Sequence, residues 1–219
     1  GFSSITIGAA AGTGGITVSA ATFNDPVSLL SPAGGTINVT GTLTGAGNAS
    51  ITLDGSGATT VLAAGIVTAD QDITISDSVE VAEAATVALD TGTAGGGKVV
   101  VTGTTNGTAG GAAESLQFIT GSGTTTLTGA VGGTTPLALT LQSNNAGNTG
   151  AVTFNDAVNA LSLTTFAHGY NVALNAGGAV TADTNFLNTG SVTFGASTTF
   201  TGGLDTTTGP SGPSIAGTL

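Results

Sequence analysis

The chain has 219 residues with 38 glycines and only nine aromatic residues, a composition of short segments and tight turns instead of long helices. Twelve carboxylates face one lysine, Lys98, giving a formal charge of −11. That balance excludes nucleic acid and disfavours anionic membrane surfaces, both of which require Lys and Arg, and the absence of cysteine excludes disulfides and thiolate metal sites.

Leu, Ile, Val and Phe total 52 residues, enough for a thin core. No signal peptide begins at Gly1, and no run of roughly eighteen apolar residues predicts a spanning helix. The chain reads as a mature product or a segment of something larger.

From the N-terminus, Ser4–Ile7 and Ile16–Ser19 are short strand candidates separated by a Gly/Ala-rich turn. Thr22-Phe23-Asn24-Asp25-Pro26-Val27 matches Thr153-Phe154-Asn155-Asp156-Ala157-Val158 at five of six positions, which predicts a shared repeat ancestry. Pro26 lacks a backbone donor and belongs at a turn or bulge. Further strands are expected at Ile37–Thr40, Ser50–Leu53, Thr60–Leu62, Ile73–Ile75, Val79–Val81, Val87–Leu89 and Val99–Val101. Asp54-Gly55, Ala64-Gly65 and Gly95-Gly96-Gly97 punctuate them. A twenty-residue step predicts one column of Val61, Val81 and Val101 and another of Val79 and Val99.

Between Gly103 and Gly150 the strands Leu116–Ile119, Thr125–Thr128 and Leu137–Leu141 persist, but the register lapses. A bulged coil, a side hairpin and an edge-capping excursion all fit that lapse. From Ala151 the period becomes plain: Ala151–Asn155 returns as Asn171–Asn175 and again as Ser191–Gly195. Phe166 keeps the same step with Phe186, and Ala160 with Val180 and Phe200. Residues 206–219 are rich in Thr, Gly, Pro and Ser and read as a linker or inter-subunit tail after a repeat domain at 1–205.

Alternation of apolar and small polar residues in copies of about twenty residues predicts an all-β fold, a parallel β-helix (β-solenoid) with an irregular middle. Eleven coils at about 4.8 Å each would form a rod on the order of 50 Å long. Asn155 and Asn175 would fall one coil apart and bond as a short amide ladder, ended by Gly195. A membrane barrel would need tilted strands of about ten residues and aromatic girdles, which this chain lacks.

Val152-Thr153-Phe154-Asn155-Asp156-Ala157-Val158 and Asp72-Ile73-Thr74-Ile75-Ser76 resemble repeats of the filamentous-haemagglutinin-like exoproteins and autotransporter passengers of bacteria, a likeness covering most of residues 16–204. The resemblance implies secretion, a right-handed parallel β-helix and a role in adhesion or surface fibres. It carries no functional residue across.

Asp70, Asp72 and Asp77 lie in the densest acidic stretch and are candidate oxygen ligands for calcium, against the plainer reading of a solvated acidic face. His168 and Tyr170 flank Gly169 in a turn that is a candidate ligand-binding protrusion, as is the irregular Gly103–Ser122 stretch. Asp156 and Asp183 have the chemistry of a hydrolase pair, but nothing places them together. Thr42/Thr44, Thr102/Thr104 and Thr124/Thr126/Thr128 do not recur every twenty residues, so no regular hydroxyl array is expected. The glycosylation triplets at Asn38, Asn48 and Asn106 are ordinary in so Asn- and Thr-rich a chain.

The expectation is a non-enzymatic, extracellular structural β-solenoid without a cofactor, a fibre subunit or adhesin stalk at the cell surface. Its partners would be copies of itself end to end or further repeats of a longer chain, with no nucleic acid and no membrane insertion. The alternative is an adhesin module recognising glycans or cell surfaces.

Overall fold

The computed structural model describes residues 1–110, 113–143, 147–216 and 218. The described residues form 26 β-strands and no helix. The first coil carries β1 (Ile5–Gly8), β2 (Ile16–Val18) and β3 (Ala21–Phe23); the second β4 (Val27–Leu30), β5 (Ile37–Val39) and β6 (Leu43–Gly45). The third carries β7 (Ile51–Asp54), β8 (Thr59–Leu62) and β9 (Ile66–Thr68); the fourth β10 (Ile73–Ile75), β11 (Ser78–Val81) and β12 (Thr86–Asp90). The fifth carries β13 (Val99–Val101), β14 (Thr105–Gly107) and β15 (Ser115–Ile119); the sixth β16 (Thr125–Leu127) and β17 (Leu137–Leu141). The seventh carries β18 (Val152–Phe154) and β19 (Val158–Thr164); the eighth β20 (Val172–Leu174), β21 (Gly178–Val180) and β22 (Thr184–Asn185). The ninth carries β23 (Ser191–Phe194), β24 (Thr198–Phe200) and β25 (Leu204–Asp205), and β26 (Gly212–Ile215) begins a tenth.

Every pairing is parallel and joins one coil to the next, so the molecule is a β-solenoid of about nine turns. Each coil presents three faces. The first is a continuous ten-stranded sheet from β1 to β26. The second begins with β2, β5, β8, β11 and β14, and passes through single bridges at Val131 to Val158. The third runs from β3 through β17. Strand β19 turns the corner between them: Val158–Ala160 pair with β21, whereas Ser162–Thr164 pair with β17.

One inward column on the first face is Ile5, Val27, Ile51, Ile73, Val99, Thr125, Val152, Val172, Val192 and Pro213. Its spacing gives coils of 22, 24, 22, 26, 26, 27, 20, 20 and 21 residues, about 23 on average. Ten strands set about 4.8 Å apart span about 43 Å, shorter than the eleven coils expected from a twenty-residue period.

That period fails in the first six coils. Val99 stacks on Ile73, not Val79, and Val61 faces outward beside Glu80 instead of heading a column with Val81 and Val101. Corners, not strands, hold the extra residues, because a loop lengthens at low cost while a strand must keep its ladder. The irregular middle is thus a widened part of the stack. The matching hexapeptides also occupy different places: 22–27 joins β3 to β4, whereas 153–158 joins β18 to β19. The two copies therefore do not occupy equivalent positions in the coil. Gly212–Ile215, within the stretch read as a tail, pairs with β23 and extends the ladder.

Val, Leu, Ile and Phe at alternate strand positions fill one continuous core along the axis. Near the C-terminal coils Phe186, Phe194 and Phe200 pack edge to face with centroids 5.7–6.3 Å apart. Where the third face turns into the first, buried hydroxyls satisfy corner carbonyls: Thr91 Oγ1 donates to Gly97 O (2.8 Å) and Thr120 Oγ1 to Gly123 O (2.9 Å). Asn188 Nδ2 does the same for Tyr170 O (3.1 Å).

Candidate functional site

The acidic candidates do not converge. Asp70 and Asp72 lie at the corner before β10, and both engage the corresponding corner of the next coil. Asp70 Oδ1 accepts from Gly95 N (2.7 Å) and Ala94 N (3.2 Å), and Asp72 Oδ1 from Lys98 N (2.8 Å). Asp77 sits at a different corner, between β10 and β11, and reaches back to the preceding coil. It is buried, and its carboxylate accepts from Gly55 N, Thr60 Oγ1 (3.2 Å) and Gly57 N (3.4 Å). Each carboxylate therefore tethers neighbouring coils. Among the described residues no group of three His, Cys, Asp or Glu side chains is arranged to hold a metal ion.

Tyr170, expected on a surface turn, is fully buried. Its hydroxyl donates to Leu141 O (3.2 Å) and accepts from Phe166 N (3.0 Å), so it ties two coils together at the third corner. Burial pushes its pKa up to about 12, because the lumen cannot solvate a phenolate. Tyr170 is thus unavailable to an external ligand. His168 remains half-buried, with its ring stacked at 6.5 Å on Phe166. Asp156 and Asp183 lie at different corners of different coils, and Asp156 Oδ1 accepts from the adjacent Ala157 N (2.7 Å). Within the Gly103–Ser122 candidate, residues 111–112 lie outside the described residues, and the remainder forms β14, β15 and the corners beside them.

Two surface features escape the period-based reading. The outward column at the middle of the first face is Thr6, Ser28, Thr52, Thr74, Val100, Thr126, Thr153, Ala173, Thr193 and Ser214. It is a nearly continuous hydroxyl row, hidden in the sequence by unequal coil lengths. The signal that finds it is the triplet apolar–hydroxyl–apolar, as in Ile51-Thr52-Leu53 and Val192-Thr193-Phe194.

The second feature is an open groove of about 310 Å³ lined by Gly132, Thr134, Pro136, Asn159, Ala179 and Thr181 among others. It forms where the 27-residue sixth coil meets the 20-residue coils that follow. Gly132 has φ +66°, and a Cβ there would lie 1.8 Å from Asn159 O, so only glycine fits this approach. The lining is neutral, made of amide, hydroxyl and small apolar groups.

No protein-family model, curated protein or solved structure significantly matches this chain. The architecture is that of a β-solenoid. Among the described residues no helix is long and apolar enough to cross a membrane.

Proposed function

We propose that this chain is an extracellular, non-enzymatic structural β-solenoid, a subunit of a surface fibre or a stalk segment of an adhesin. The observation that carries the reading is the first face, whose ten parallel strands run the length of the rod without a break. Such a ladder resists shear through many bonds at once, and the dry aliphatic lumen holds its three faces together. Exposed apolar groups at both described ends support end-to-end joining to copies of the chain or to further repeats. Phe2 is 74% and Ile215 52% exposed, and a recess of about 350 Å³ lined by Ile7, Ile16, Val18 and Phe23 opens at the first coil. Electron microscopy of purified material across a dilution series tests the assembly. Uniform fibres that shorten on dilution are expected; isolated rods at every concentration would rule out self-assembly and leave the stalk.

The groove beside Asn159 favours a second reading, a module that binds a neutral glycan. Asn159→Ala and Thr181→Ala would then weaken binding of neutral oligosaccharides by about tenfold, as one lost hydrogen bond does, without altering assembly. Calorimetric titration with a panel of such sugars is the check. Equal heats for wild type and both variants would remove the groove from consideration.

A further inference from the structure

We propose that the described residues of coils five and six form a built-in yield segment where the rod opens first under load or denaturant. Its biological meaning rests on the structural-rod reading, but its physical content stands without it. In a stack where each coil touches only its neighbours, opening starts at the weakest interface. The third face also breaks, between β19 and β22, but three observations together single out coils five and six.

The first is an interrupted ladder. On the second face, three or four residue pairs join each coil to the next through β14, whereas Thr105, Val131 and Val158 are linked by single bridges, with one further backbone bond from Gly107 N to Thr135 O (2.9 Å) between coils five and six. The second is a register shift between Leu137 and Ala138, where β17 passes to β19. It coincides with the drop in coil length from 27 to 20 residues.

The third is the core itself. Six buried side-chain polar atoms among the described residues have no hydrogen-bond partner in the protein, and five belong to Thr105, Glu114, Thr125 and Asn148. Thr125 stands in a column otherwise filled by Ile and Val at its neighbours Ile73, Val99 and Val152. Glu114, only 2% exposed, places its carboxylate where a side chain at Gly107 would sit, since a Cβ there would meet Oε2 at 2.6 Å. Outside the segment a buried threonine is used well, as Thr91 shows by bonding the corner carbonyl of Gly97. A buried polar group without a partner costs stability that an apolar replacement of the same shape restores.

Two measurements test this. Native-state hydrogen exchange on the intact chain compares β14 and β16 with β8 and β20, strands of the same alternating burial in coils three and eight. Exchange at least about tenfold faster in β14 and β16 is expected, and equal or slower exchange overturns the proposal. Isosteric substitutions give the second readout. Thr105→Val and Thr125→Val should each raise the melting temperature by about 2–4 °C, whereas Thr91→Val should lower it by a similar amount. Failure of both Thr105→Val and Thr125→Val to raise it overturns the assignment. Because neither measurement depends on fibre formation, a negative microscopy result would leave this inference standing, and a negative exchange result would leave the fibre standing.

Discussion

Asp77→Ala should destabilise the rod by about 3–5 kcal/mol, whereas Asp72→Ala should cost no more than about 1 kcal/mol. The two residues are five positions apart in one acidic stretch and differ only in where the fold puts them. Asp77 is buried and accepts from Gly55 N, Thr60 Oγ1 and Gly57 N on the preceding coil. Its removal strands the donors of buried Gly55 and Thr60 inside the protein, where each lost bond to a carboxylate counts for about 1.5–3 kcal/mol, whereas exposed Gly57 can turn to water. Asp72 is exposed and accepts one bond, from Lys98 N, which water can replace. Gly55 belongs to the same arrangement, because a Cβ there would lie 2.7 Å from Asp77 Oδ2. Urea denaturation of both variants at neutral pH checks the contrast. Equal losses would show that Asp77 is not the tether its contacts describe.

Alkaline pH should weaken the fold through Tyr170. Its folded pKa is raised from 10.0 to about 12, so the folded state holds the phenolic proton where the unfolded chain releases it. The associated stability is complete below pH 10 and is lost as pH rises through about 12, a total on the order of 3 kcal/mol for a shift of this size. Tyr170→Phe should remove this slope. At neutral pH it should cost about 1–3 kcal/mol by leaving Phe166 N and Leu141 O without their partner. The chain has one tyrosine and no tryptophan, so ultraviolet titration of the tyrosinate reports this group alone. A midpoint near pH 10 in folded protein, or an unchanged alkaline slope in Tyr170→Phe, would refute the buried placement.

What could be read in advance follows from where the repeat is regular. Val152, Val172 and Val192 stack as their spacing foretells, and Asn175 Nδ2 donates to Asn155 Oδ1 at 3.1 Å, the amide ladder expected between them. In both cases the intervening coils have 20 residues, so sequence distance and spatial distance agree. Val61, Val81 and Val101 mislead because the second face steps by 19 residues from Val61 to Glu80 and by 26 from Val81 to Gly107, and apolar alternation alone cannot locate the corner residues that make the difference. The site candidates were harder for a different reason. Gly169 makes Tyr170 look like a turn residue, yet its burial depends on the carbonyl of Leu141, 29 positions earlier. Nor does composition separate Asp77 from Asp70, since only the direction of each corner decides which side chain enters the lumen. The groove needed two coil lengths to be known before it could be seen.

Coil lengths range from 20 to 27 residues, yet the first face loses no rung. Growth and ornament are therefore separable in this architecture. A corner can gain residues without putting the shaft out of phase, so new loops can be acquired, enlarged or discarded while the shaft is inherited intact. Kinship between such chains would be written in the order of their apolar–hydroxyl–apolar triplets, and a fixed repeat length would conceal it.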